Sequence, residues 1–482
     1  MGIPPNEHQS KLAWLCVVSL TYYTAVTIAD TVAQSIFVAR LGVAALPNIF
    51  LLKAAIDVIS ALAYLPLTRG RNPERVWRVL LLLYGTSVAI GWWAVSGTLS
   101  LSLGAYLLYV GHEVAWTLAV IHWGIFLLSL LGPIESRRFF PVLFGVGRLG
   151  ALLGGLLVTA FAVQLGTANL LGIVLFLTLF CALASLKLKN NSGFQTRQKT
   201  DERGGGWRDA AAQPLVRAIA VSTATMVMLR YGLRMVSLAE IRGAFDSDKD
   251  QIAAFLGLVA VLGNALALVL GIWVVPRLLA RIGVGATNLL YASTTLIAFA
   301  TTWLFPGLAS ASSARFVEMP PKHALKTPLS VLFYGGEKPS HRAAARSLVF
   351  GLAIPLAAIC TGLGFRYGRP DASLISLLGI AIALIYLGVC RWQNKQYQNG
   401  LSSQLQALVA GETPSSGRQE GWQSILGQCA PKLPKAQVKY LCAGLASPSQ
   451  PTHELARALL GELLSPAQQR SVGKLEGDTA LG

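Results

Sequence analysis

The stretch LAWLCVVSLTYYTAVTIADTVAQSIFV, residues 12–38, carries a single charged side chain, Asp30. An α-helix rises 1.5 Å per residue, so about 20 such residues cross the roughly 30 Å hydrocarbon core of a bilayer. Eleven further apolar blocks follow, at about 44–67, 77–96, 99–131, 139–164, 167–186, 213–239, 251–276, 283–305, 307–333, 345–367 and 371–392. They are continuous runs, without the apolar–polar alternation that a membrane β-barrel requires. Charged residues make up 13% of the 482-residue chain and hydrophobic residues 54%. A water-facing surface needs about 25% charged residues. The first run is far longer than the apolar stretch of a cleavable leader and follows Asn6, Glu7 and His8, so we read it as a retained first helix. Twelve membrane-spanning helices are expected.

The net charge is +18. Its location argues for membrane topology and against nucleic acid as its cause. Residues 400–482 hold seven Lys/Arg and six Asp/Glu, so the excess lies in short connections between apolar blocks. The even-numbered connections are all basic: Arg69, Arg71, Arg75 and Arg78 in the second, Arg137 and Arg138 in the fourth, Lys187 to Arg208 in the sixth, Arg277 and Arg281 in the eighth, and Lys322 to Arg346 in the tenth. The odd ones carry little positive charge. Basic loops stay on the cytoplasmic side, so both termini are expected there, most simply in a cell inner or plasma membrane.

The polar, Gly-rich segment 191–212 reads as a cytoplasmic linker. It divides the span region into six-helix halves, 1–190 and 213–395. That plan predicts an all-α membrane protein of major-facilitator type. Residues 396–482 form four amphipathic segments separated by Gly and Pro, among them LSSQLQALVAG and GWQSILGQCA, which predicts a small helical cytoplasmic domain of stacked-repeat type as a surface for a protein partner. Six cysteines without a Cys-x-x-Cys pair point to neither a disulfide framework nor a zinc site. No phosphate-binding glycine loop, nucleophile elbow or metal signature occurs, so an enzyme is not expected, and neither is a cofactor or a metal.

Charges inside apolar blocks are the informative residues, because each costs about 2.5–3.5 kcal/mol at the bilayer centre and must face a partner, a cavity or water. Asp30 lies in the first block. Lys53 and Asp57 lie in the second, one helical turn apart. Glu113 lies in the fourth beside His112, without a basic neighbour on its own helix. Arg148 lies in the fifth, within FGVGRLGALLGGLL, whose Gly147, Ala151, Gly154 and Gly155 allow close helix contact. Arg230 and Arg234 share one face of the seventh, which ends at Glu240. Arg315 and Glu318 lie three apart in the tenth. Guanidinium groups bind phosphate and carboxylate in a fork, so the stacked arginines suit an anion; pairing with Asp30, Asp57 or Glu113 is the structural alternative.

Three stretches resemble the non-mitochondrial ATP/ADP translocases. In the fourth and fifth blocks the likeness rests on Glu113, Trp116, Arg138, Phe139, Phe140, Pro141, Gly145 and Gly147; in the seventh on Tyr231, Gly232 and Glu240; in the tenth on Arg315, Pro328 and Leu329. Arg342 or Arg346 falls near a functional lysine of that family. The resemblance implies a nucleotide as the small-molecule substrate and a role in transport for Glu113 and Glu240. Two features depart from the family: Ala29 precedes Asp30 and Thr31 where it has an arginine, and Lys53 lies further from Pro47 than its lysine does from the matching proline. The expected substrate-binding set is Asp30, Lys53, Glu113, Arg148, Arg230, Arg234, Glu240 and Arg315. Other solutes, or a transport-inactive anchor that presents its tail, are the competing readings.

Overall fold

The computed structural model describes residues 5–68, 71–98, 101–131, 133–188, 207–318, 325–337, 339–409, 435–447 and 449–464, with Trp422, Gln423, Leu426, Gln468, Gln469 and Val472. The expected linker is described only from Trp207 onward, and GWQSILGQCA only at three residues.

Among the described residues every regular element is helical. The first half contains α1 (Pro5–Leu41), α2 (Leu46–Thr68), α3 (Pro73–Trp93), α4 (Leu101–Leu130), α5 (Pro133–Leu165) and α6 (Leu170–Ala184). After the short α7 (Trp207–Ala212) come α8 (Pro214–Ala244), α9 (Lys249–Val269), α10 (Val275–Leu304), α11 (Leu308–Glu318), α12 (Thr327–Gly335), α13 (Pro339–Leu348), α14 (Ile354–Gly368) and α15 (Ala372–Val409). The tail adds α16 (Lys435–Ala446) and α17 (Gln450–Leu463). The starts follow ordinary capping chemistry. The Asn72 side chain accepts the Glu74 N–H at 2.9 Å ahead of Pro73, and Asp248 accepts the N–H groups of Asp250 and Gln251.

Among the described residues ten helices are long and apolar enough to cross a membrane. Of the twelve expected blocks, the seventh and tenth do not qualify. Helix α8 is long enough, at 31 residues, but Arg217, Arg230, Arg234, Glu240 and Arg242 make it too polar. Of the tenth block, α11 and α12 are described, and neither is long enough alone. These two blocks are those that bring charge to the centre of the second half.

In the first half α1 packs against α4, α5 and α6, and α3 against α4 and α6. In the second, α8 packs against α11, α14 and α15, and α10 against α11 and α15. The halves meet along two lateral seams, α5 with α9 and α2 with α14. Both seams use glycine. A Cβ built at Gly155 would lie 2.8 Å from the Gly257 carbonyl oxygen, and one at Gly257 would lie 2.9 Å from that of Gly155. One at Gly362 would lie 3.1 Å from the Pro47 carbonyl oxygen. The small-residue stripe read on α5 does serve close contact, with Gly154 against the Thr24 carbonyl of α1. The outside is apolar: Phe176, Ile272, Ile297 and Ile385 are each more than 60% exposed, as a lipid-facing surface requires.

The tail docks on one end of the second half. Leu441, Leu445, Leu459 and Leu460 share a core with Leu215, Val284, Phe333, Tyr397 and Leu401. Helix α15 runs through residue 396 without a break, since RWQNKQYQNGLSSQLQ contains no proline. Helix α10 is interrupted at Gly283, whose φ of 76° suits only glycine well. The Glu462 carboxylate of α17 accepts the N–H groups of Val284 at 2.7 Å and Gly285 at 3.3 Å just beyond this break. Burial pushes the Glu462 carboxyl above its ordinary pKa, and these two N–H groups oppose that rise.

Candidate functional site: an ionic seam between the halves

Helix periodicity places Lys53 and Asp57 on one face of α2, and Arg230 and Arg234 on one face of α8. Tertiary packing then turns both faces toward α4. Lys53 Nζ lies 3.2 Å from an Asp57 carboxylate oxygen and 3.1 Å from Glu113 Oε2, and it donates to Thr117 Oγ1 at 3.1 Å. The other Glu113 oxygen lies 3.7 Å from Arg234 Nη1, which also donates to the Tyr109 hydroxyl at 3.2 Å. Arg234 Nε donates to Glu318 Oε1 at 3.2 Å, and Arg230 Nη2 lies 3.6 Å from that same oxygen. Arg315 closes on Glu318 Oε2 at 2.7 Å and donates through Nη2 to Gln34 Oε1 at 2.7 Å. Gln34 donates in turn to Asp30 Oδ1 at 2.7 Å. Asp30 faces His112 Nε2 at 3.7 Å, and His112 Nδ1 meets the Tyr84 hydroxyl at 3.1 Å.

These contacts form one continuous chain through α2, α4, α8, α11, α1 and α3. It contains four cations (Lys53, Arg230, Arg234, Arg315) and four carboxylates (Asp30, Asp57, Glu113, Glu318). Glu318 is 1% exposed and Arg315 5%. An unpaired charge at that depth would be strongly unfavourable, so mutual neutralisation is what allows the seam to exist. The C-half cleft lined by Arg230, Tyr291, Glu318 and Tyr386 is too narrow to admit a water molecule.

Of the eight expected residues, the structure brings six together: Asp30, Lys53, Glu113, Arg230, Arg234 and Arg315. Two stand apart. Arg148 lies on the α5–α9 seam and donates to Asn264 Oδ1 at 3.2 Å. Glu240 is half-buried near the end of α8 and forms no ion pair among the described residues. Arg342 donates to the carbonyls of Gly335 and Glu337 at the end of α12, and Arg346 lies over the Tyr334 ring, so both hold α13 rather than the seam. The side chains of Arg138, Phe140 and Pro141 lie outside the described residues.

Sequence reasoning did not place Glu318 at the hub, where it faces three guanidinium groups; only its spacing to Arg315 was legible. It also missed Gln34, which links the two halves. By sequence Lys326 is one of the cations of the basic tenth connection. It is 5% exposed, donates to Asn288 Oδ1 at 2.8 Å and Ser222 Oγ at 3.3 Å, and has no carboxylate within 4.0 Å among the described residues. A buried cation without a counter-charge has no sequence signature.

Further contacts tie the halves together. Thr167 binds Asp250 at 2.6 Å, Arg366 binds Asn48 at 2.5 Å, and Gly42 lies against the Arg242 guanidinium. All three are at the odd-numbered connections. Arg234–Glu113 and Arg148–Asn264 join the interiors of long helices, and Arg315–Gln34 joins the last turn of α11 to α1. A cavity of about 580 Å³ lies between the α1–α2 and α8–α9 turns, lined by Gly42, Ala44, Arg242 and Asp246.

Solved structures with this arrangement of helices include a mutant of the nucleoside transporter NupG, at 13% identity with a TM-score of 0.59, covering 81% of this chain and 99% of that one. The chain has the major-facilitator fold. A bacterial homologue of the iron transporter ferroportin in an inward-facing state matches at 14% identity and TM-score 0.55, over 80% of this chain and 99% of that one. A D-xylose-proton symporter matches at 14% identity and TM-score 0.51, over 78% and 95%. No protein-family model matches the sequence, and no curated protein matches it. At these identities the likeness is one of fold. Together with the ten apolar helices it establishes an integral multi-pass membrane protein of this architecture; it carries nothing specific to the ATP/ADP translocases.

Proposed function

We propose that this protein is a secondary-active transporter that moves a small organic anion, with a nucleotide as the first choice, by alternating access of its two halves. The observation that carries this reading is the opposed charge of the two facing surfaces, joined by Arg234–Glu113 and Arg315–Gln34. Parting the halves would leave Arg230, Arg234 and Arg315 facing Glu318 alone. An anion would restore the balance on that side, and protonation or Lys53 would do so at Glu113. The binding set is therefore Arg230, Arg234 and Arg315, with Glu113, Lys53 and Asp30 as the groups that release them. Arg148 and Glu240 would act at the edges of the motion. The units are residues 1–190 and 213–395, with a linker at 191–212 and a helical tail from 396. By the charge of the connections, both termini and the basic connections face the cytoplasm. The resemblance of Glu113, Trp116 and Tyr231 to the ATP/ADP translocases and the fold shared with a nucleoside transporter both favour a nucleotide.

Counterflow in proteoliposomes tests this. Vesicles loaded with unlabelled ATP should accumulate labelled ATP or ADP well above protein-free vesicles, and excess unlabelled nucleotide should compete. Folded protein that gives no counterflow with nucleotides, other phosphate esters or carboxylates would remove the anion reading. A second reading, a transport-inactive anchor, is favoured by the charge-neutral seam and the docked tail; it predicts no flux of any solute.

A further inference from the structure

Phe50 of α2 and Tyr231 of α8 stack face to face, with ring centroids 4.1 Å apart and planes within 12°. Among the described residues this is the one ring pair that joins the halves. Its neighbours are the charged seam itself. Lys53 is one turn from Phe50 on α2, and Tyr231 directly follows Arg230 and precedes Arg234 by a turn. Phe50 is 1% exposed, so both inner faces are inaccessible in this arrangement. Aromatic pairs generally favour offset or edge-on geometry, and a near-parallel stack is the geometry that a third flat ring can enter without reorienting either partner.

We propose that Phe50 and Tyr231 are the specificity pair of the transport site, and that the substrate is an anion carrying a flat heteroaromatic ring of nucleobase type. Parting the halves separates the two rings. A ring in van der Waals contact with both needs them about 7–8 Å apart, twice an ordinary carbon–carbon contact distance, so an opening of about 3–4 Å at this level suffices. The inserted ring restores the lost stacking on both faces while Arg230 and Arg234 take the anionic group. The alternative role is a plain apolar seal, which would not distinguish ligands with rings from those without. The proposal rests on the transport reading above, whereas the choice of an anion is tested separately.

The experiment is thermal unfolding of the full chain in nanodiscs, followed by intrinsic tryptophan fluorescence, with ATP, tripolyphosphate or adenosine added. Wild type should bind ATP at least about tenfold more tightly than tripolyphosphate, since stacking on aromatic side chains commonly contributes such a factor. Phe50→Leu and Tyr231→Leu should each bring the two affinities within about threefold, and Tyr231→Phe should keep the wild-type ratio. Melting without ligand establishes that each variant is folded; Phe50→Trp, which keeps a flat ring, should also keep the preference and serves if Phe50→Leu does not fold. Stabilisation by adenosine and not by tripolyphosphate would uphold the ring pair and discard the anion. Equal binding of ATP and tripolyphosphate by wild type, a preference that survives both leucine variants, or no stabilisation by any of the three would overturn the proposal.

Discussion

The two halves face each other with opposite chemistry. Across the central seam the first half presents three carboxylates, Asp30, Asp57 and Glu113, against one ammonium, Lys53. The second presents three guanidinium groups, Arg230, Arg234 and Arg315, against one carboxylate, Glu318. The lateral seams differ again: at Gly155–Gly257 and Gly362–Pro47 backbone meets backbone with no charge involved. Glycine seams give close contact that tolerates little change in shape. Ionic seams gain by being together but can exchange partners when an ion arrives. Under the proposed alternating access, the glycine seams would serve as pivots and the ionic seam as the gate.

The sharpest way to break this division is at the hub. Glu318→Gln leaves three guanidinium groups facing a neutral amide, and losing one partner of a buried pair costs about 3–5 kcal/mol; a large fall in Tm and loss of transport are expected. A melting curve like that of wild type would show that water, rather than Glu318, compensates the arginines. Next, Gly155→Leu should lower stability by about 1–3 kcal/mol through overpacking against Gly257, read as a Tm loss unaffected by salt or pH. On the ionic side, Glu113→Gln and Lys53→Gln should be non-additive, with a coupling of about 0.5–3 kcal/mol in a double-mutant cycle of melting free energies. Additive effects would mean that the 3.1 Å contact contributes nothing. The smallest effect concerns the tail. Glu462 holds its proton more tightly in the folded protein than in the unfolded chain. Its stabilising contribution is therefore complete below the ordinary glutamate pKa of about 4.3 and fades as pH rises through the higher folded value. Wild type should lose more stability than Glu462→Gln across that window, and parallel curves would contradict the burial of that carboxylate.

Much of the architecture was legible in the sequence, because length and apolarity of a span are local properties. Asp30 and Glu113 were legible as charges out of place. Lys53–Asp57 and Arg315–Glu318 were legible as pairs, since each lies within one turn of one helix. Their long-range partners were not. Glu113 meets Lys53 and Arg234 only because α2, α4 and α8 converge, and no spacing in the chain encodes that convergence. Glu240 drew notice through a family resemblance and lies away from the seam, whereas Glu318, with an unremarkable local context, faces three arginines. In the tail, α16 and α17 were legible as amphipathic segments. Its docking surface was not, because the carboxylate cap on α10 depends on a backbone break at Gly283.

The central claim is that the halves rock about the glycine seams while the ionic seam exchanges its partners. The most direct test is a pair of distances in nanodiscs, measured between spin labels on introduced cysteines. One pair, Arg75→Cys with Arg277→Cys, reports the basic connections; the other, Ala44→Cys with Asp246→Cys, reports the opposite side. With ATP added, the account predicts that the two distances change in opposite directions, and that Arg234→Gln abolishes the response. Distances that both stay fixed, or that grow and shrink together, would contradict it.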